Sequence, residues 1–336
     1  MKALLGILIP VLFLSFSGCV SVRDDGKALG KAGQLATQAI IEQTDSSRRT
    51  VNALPEWWNV RGVLVCSSIQ KEDLKKYCVD EAIKSKPGTL SEQLKLLSDV
   101  MNKRIVAEQA VYDAYQSFAN LAEYDAGAET EQAIKGAVGA INELTAAAAK
   151  IAPSPQTAGA SAISSTFTTV ASGIGNIIAS ERQNKLILSA NLDLLRANEA
   201  MIAALTIEKN ATEQFLMTLG SEADTLFSAF VQSGLVSPNN ALAPLLAQIA
   251  PGIEMVETPP KENIALIKVA AHISIAERSK RKQKATVESY EAALATLKAL
   301  SLEHKKLKEK QQIALDSIVA HVKRIQDLLD QIKQKK

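Results

Sequence analysis

Aromatic side chains supply only 4% of the 336 residues, against 47% hydrophobic residues overall. That scarcity excludes a core built from rings and leaves Ala, Leu, Ile and Val to fill it, a mixture that suits packed helices and coiled coils. Histidine is scarcer still. His272, His304 and His321 stand far apart, none has a second His four residues on, and none has Glu three residues before it. This excludes the helix-borne zinc-protease and di-iron motifs, so each of the three reads as a surface or boundary residue. Gly173-Ile174-Gly175 has neither a third glycine nor a strand before it, so no phosphate-cradling loop is present, and no serine sits in a nucleophile motif. No catalytic residue, metal site or cofactor is therefore expected. Proline and glycine are missing from the last 76 residues, and charge is missing from the thirty between Lys150 and Glu181.

Long hydrophobic runs are also lacking, with one short exception. Ala3 to Phe16 form an apolar run of fourteen residues after the lone cation Lys2. A bilayer span takes roughly 20 residues, so this run suits the core of a secretory signal instead. Ser17-Gly18-Cys19 closes it. Small residues followed by cysteine resemble the lipobox of bacterial lipoprotein precursors, although Phe16 stands where Leu is usual. The resemblance implies a signal peptide over 1–18 and acyl chains on Cys19, against an ordinary cleaved signal or an uncleaved short anchor. Val20 after the cysteine, rather than Asp, implies the outer membrane by the enterobacterial sorting rule.

Cys66 and Cys78 remain as a pair in a compartment where disulfides persist. On one continuous helix they would lie roughly 18 Å apart, out of reach of each other, so a bond requires a turn between them. Ser67 and Gln70 have capping-box spacing for a helix starting just after Cys66. Two free buried thiols are the alternative to the disulfide, and no His lies near enough to suggest a metal.

The stretch 19–56 reads as a tether with a modest helix around Leu35 to Gln43, because Gly26, Gly30 and Gly33 and then Ser46-Ser47-Arg48-Arg49 interrupt it. Residues 57–88 read as a disulfide-containing helical subregion, in which Trp57 and Trp58 either cover the end of the bundle or serve at a membrane interface or in ligand stacking. From 89 to 336 an elongated bundle is expected. Thr89 and Glu92 open a helix with Leu90, Leu94, Leu97, Met101 and Ile105 on one face, continuing through Tyr112, Tyr115, Phe118 and Ala122 to a stop near Gly127. Residues 128–180 read as a low-charge hairpin turning at Pro153-Ser154-Pro155. Glu181 to Leu219 carries a stripe of Leu188, Leu192, Leu195, Ile202, Leu205 and Phe215, closed by Gly220, and Ser237-Pro238 starts a further helix. At the end Ile318, Val322, Ile325, Leu329 and Ile332 step 4, 3, 4, 3, a heptad seam. Val287, Leu294 and Leu297 extend its apolar face upstream, with a bend allowed near 278–284 or 301–310. The fold class expected is all-α, an elongated bundle of long antiparallel helices with a coiled-coil-like C-terminal helix.

Charge is unevenly divided. Lys261 to Lys336 holds 17 basic and 9 acidic residues, whereas Cys19 to Pro260 holds 20 basic and 27 acidic. Arg278, Lys280, Arg281, Lys282 and Lys284 form a dense cluster, either a solvated helix face or a contact for anionic lipid headgroups or cell-wall polymer. Export excludes nucleic acid as its partner. A C-terminal lysine on a lipid-anchored helical protein is similar to the small murein lipoprotein of the enterobacterial outer membrane, which implies attachment of Lys336 to peptidoglycan. The expected protein is a lipid-anchored envelope component of the outer membrane facing the periplasm, non-catalytic, with an envelope protein, peptidoglycan or its own copies as partners. Its rival is a pore former using the 151–180 hairpin, which resembles the cytolysin-type α-helical toxins in architecture only.

Overall fold

The computed structural model describes residues 21–66, 69–84, 89–123, 127–151, 179–232, 236–249 and 261–333. Among these residues there are eight α-helices, one 3-10 turn and no strand. They are α1 (Val22–Val65), α2 (Glu72–Lys84), α3 (Thr89–Glu123), α4 (Gly127–Ile151), α5 (Ala179–Gln232), α6 (Pro238–Ile249), α7 (Ile264–Lys308) and α8 (Asp316–Lys333). At 54 residues, α5 is about 81 Å long. The all-α expectation, with long helices in antiparallel contact, is the observed architecture.

Cross-helix contacts set the directions. Arg23 on α1 donates to the carbonyls of Ala122 and Glu123 at the end of α3, while Ser98 near the start of α3 donates to Asn52. Those two helices are therefore antiparallel. Gln183 donates to the Leu121 carbonyl and Arg104 reaches Glu208, so α5 also runs against α3. Asn191 meets His304 and Lys209 meets Glu291, so α7 runs against α5. Thr130 bonds the Ser117 carbonyl and Lys103 pairs with Glu143, which sets α4 beside α3 in the opposite sense. Four helices, α1, α3, α5 and α7, meet along one core, with α4 and α8 packed at its flanks.

The expected tether is the first correction. Residues 22–65 are one helix, and Leu29, Ala32, Ala36, Ala39 and Ile40 are buried in the main core. Its glycines serve contact rather than slack. A Cβ on Gly30 would lie 2.9 Å from the backbone nitrogen of Ala119, and one on Gly33 would fall inside the Tyr115 ring. Lacking side chains there, α1 and α3 come closer than any other residue would permit. Helix α1 continues past Pro55-Glu56-Trp57-Trp58, whose side chains lie outside the described residues.

Other boundaries move for similar reasons. Gly220 lies within α5 instead of closing it, and Gly127 opens α4 instead of ending α3. Helix α2 starts at Glu72, not just after Cys66, with Glu72 and Asp73 favourably placed in its first turn. Pro238 does occupy the first position of α6, where a missing N–H costs nothing. The long C-terminal helix breaks after Lys308, within one of the two stretches where a bend was allowed. Lys310 takes φ 55°, and the buried Glu303 accepts from the Ala314 backbone N–H at 2.7 Å, which holds the chain reversal without proline or glycine. Helix α8 then lays its seam on the bundle: Ile318, Ile325 and Leu329 are buried, and Val322 and Ile332 pack partly against the same core. The expected hairpin is described only as far as α4, since 152–178 lie outside the described residues.

Candidate functional site

At the disulfide corner, α1 ends at Val65 and the chain turns back into α2. This brings the Cα atoms of Cys66 and Cys78 to 5.8 Å, and the two sulfurs are bonded. The turn that spacing demanded is present, and the bridge pins α2 to the end of α1.

The interior carries a feature that a reading by hydrophobicity passes over. Buried residues of α3 follow Leu94, Leu97, Met101, Arg104, Glu108, Val111, Tyr115, Phe118 and Ala122, stepping 3, 4, 3, 4 without interruption. The heptad is perfect, but two of its core positions carry a guanidinium and a carboxyl group, Arg104 and Glu108. Helix α5 does the same through Ile187, Asn191, Leu194, Asn198, Met201, Leu205, Glu208 and Thr212. On α7, Tyr290 and His304 share a seam with Ala293, Leu297, Leu300 and Leu307.

These side chains meet in two layers. In the first, Arg104 donates through Nε to Glu108 Oε1 at 2.6 Å, through Nη1 to Glu208 Oε1 at 2.8 Å, and through Nη2 to Gln43 Oε1. Tyr290 donates to Glu208 Oε1 at 2.6 Å, and its ring lies under the guanidinium, 5.3 Å from Cζ to the centroid. Thr44 is within 2.9 Å of both Glu108 oxygens, and Gln43 Nε2 donates to Ser47 and Ser289. All four central helices contribute. One cation faces two carboxylates, and Glu208 Oε2 has no partner. Burial raises the Glu108 carboxyl above the usual carboxylate range, although Arg104 pulls the other way. Burial and the neighbouring Glu208 likewise hold the Tyr290 phenol firmly in its protonated form.

The second layer lies fourteen residues along α7, about 21 Å away. Asn198 Nδ2 donates to the Tyr115 hydroxyl at 2.7 Å, and that hydroxyl lies 2.8 Å from His304 Nε2. His304 Nδ1 lies 2.7 Å from Asn191 Oδ1, an obligatory acceptor, so Nδ1 carries the proton and Nε2 accepts from tyrosine. Asn191 Nδ2 returns to the His304 carbonyl at 2.8 Å. Burial drives the imidazole pKa down to about 3, so the ring is neutral at physiological pH. His304 is thus not a surface residue, because Tyr115 and Asn191 replace the water its ring loses. His272 is half-buried with its ring edge-on to Phe227, and His321 is half-buried on α8.

Neither layer is open to solute, since Arg104, Glu208, Tyr115 and His304 are all fully buried. Chemically they order helices rather than bind a small molecule. On the surface, Val51 and Asn52 of α1 and Leu94, Ser98 and Asn102 of α3 line an open groove of mixed character. The basic cluster lies on α7, with Lys280, Arg281, Lys282 and Lys284 exposed and Arg278 half-buried, donating to the Ser274 carbonyl. Among the described residues no group of three His, Cys, Asp or Glu could hold a metal, and no helix is long and apolar enough to cross a membrane. Cys19, Lys336 and most of the 151–180 stretch lie outside the described residues. No family model, no curated protein and no solved structure matches the chain.

Proposed function

We propose that the chain is a lipid-anchored envelope protein of the outer membrane, facing the periplasm, whose bundle has a structural or interaction role rather than a catalytic one. The observation that carries this reading is the lipobox-like Ser17-Gly18-Cys19 set shortly before a helix whose side chains are buried in the main core. Ser21, two residues after Cys19, caps α1 by accepting from the Asp24 backbone N–H at 3.3 Å. A lipid on Cys19 would hold the end of the bundle at the bilayer surface with almost no intervening slack. Interior side chains spent on joining helices, instead of lining an accessible cavity, also favour a mechanical role. Labelling cells with a radioactive fatty acid tests the anchor: the wild-type chain should take up label and fractionate with outer membranes, and Cys19→Ala should do neither. Recovery of an intact, unlabelled precursor from the cytosol would overturn the proposal.

A further inference from the structure

The N-terminal half of α7 exposes more apolar surface than its surroundings explain. Leu266 is 71% exposed, Val269 58% and Ile273 61%, three large aliphatic side chains within two turns. At 100° per residue they share one face of the helix, and Lys280, Arg281 and Lys284 continue along that face. Lys280 pairs with Glu277 at 3.2 Å and Lys284 with Glu288 at 3.8 Å, yet their side chains stay 72% and 78% exposed. Between Glu277 and Lys284 there are five basic residues and one acidic residue.

We infer that this strip is a docking surface for an anionic phospholipid bilayer. Aliphatic side chains beside a run of cations match the two layers of a membrane surface, acyl boundary and phosphate headgroups, together. Other occupants match only half of it. A second copy of the chain would set cations against cations in a parallel pairing, or cations against aliphatics in an antiparallel one. An anionic glycan would satisfy the lysines and leave Leu266, Val269 and Ile273 in water. Because α7 runs against α1, the strip lies away from the Ser21 end, with Ile273 about 46 Å along the axis from His304. The protein would then touch bilayer at both ends. An anionic membrane as partner presupposes the envelope compartment proposed above, whereas a vesicle test does not depend on acylation.

The experiment is flotation of the full chain carrying Cys19→Ser with vesicles of phosphatidylglycerol and phosphatidylethanolamine, against vesicles of phosphatidylcholine alone. The same N-terminal run is present in every variant, so differences report α7. Binding should favour the anionic vesicles and weaken in high salt. Reversing Lys280→Glu, Arg281→Glu and Lys284→Glu together should weaken it by more than about 100-fold, at roughly fivefold for each cation. Leu266→Ser with Val269→Ser and Ile273→Ser should weaken it too, with helicity by circular dichroism unchanged because all six positions are exposed. Lys308→Glu, Lys310→Glu and Lys323→Glu together should leave binding intact. Equal loss in that control, no preference for anionic vesicles, or retention on isolated peptidoglycan that ignores the serine substitutions would each overturn the proposal.

Discussion

Arg104→Met removes the single cation of the inner charged layer while keeping much of the side-chain volume. Glu108 and Glu208 then remain fully buried with no guanidinium between them. Breaking a buried ion pair from one side costs about 3–5 kcal/mol, because the partner charge is left uncompensated. The loss should depend on pH in a definite sense. Burial already raises the Glu108 carboxyl and Arg104 is the main opposing influence, so its removal raises that carboxyl further. A folded state that holds a proton which the unfolded chain has released loses stability as pH rises above the ordinary glutamate value, about 4.3. The deficit of Arg104→Met should therefore be largest near about pH 7.5 and shrink near about pH 5. His304 also weakens the fold on acidification, but equally in both proteins, so it cancels in the difference. The triple variant Arg104→Met, Glu108→Leu, Glu208→Leu should recover most of the loss, since a whole charged cluster replaced by apolar groups is often neutral or stabilising. Urea unfolding followed by circular dichroism measures all three. A single variant as stable as wild type, a deficit independent of pH, or a triple variant no better than the single would refute the reasoning.

Replacing His304 by Gln should flatten the acid limb of stability. The folded pKa of about 3 lies below the ordinary value near 6.5, so wild type loses stability as pH falls between those limits, about 4–5 kcal/mol in all. Thermal unfolding of both proteins from neutral pH to about pH 4 checks this. Gly30→Ala should destabilise by about 1–3 kcal/mol through collision with the Ala119 backbone, overriding the better helix propensity of alanine. Gly139→Ala on α4, where a Cβ meets nothing, should stabilise by about 0.5–1 kcal/mol, and melting curves of the pair separate the two effects. Cys78→Ser should remove about 3 kcal/mol of chain-entropy stabilisation, read as faster proteolysis at α2.

Helix content and the α8 seam were legible because Ile318, Val322, Ile325, Leu329 and Ile332 are apolar at every step. Where the seam carries polar residues, tracking apolarity alone slips to a neighbouring face. On α3 it passes from Met101 to half-buried Ile105 and misses Arg104 and Glu108. On α5 it selects Leu188, Leu192 and Ile202, all half-buried, in place of Ile187, Asn191, Asn198 and Met201. Holding the 3, 4 step through the polar positions would have found both layers. The tether expectation fails for a related reason. Counted by residue type, Gly26, Gly30 and Gly33 are chain breakers, whereas their spacing of four and three places them on one side of a helix. The partnership of Cys66 with Cys78 followed from the chemistry of the pair, but the helix start between them did not.

Two polar layers set about 21 Å apart also do what no aliphatic seam can. Alanine and leucine recur so regularly that a helix sliding seven residues, about 10.5 Å, past its neighbours would still find greasy company. Arg104 would not. Displaced by one heptad it would meet Met201 or Phe215 in place of Glu208, and His304 would lose the Tyr115 hydroxyl at the same moment. The layers act as alignment pins, and a bundle so pinned has one length: a molecular ruler whose two ends stand at a set separation.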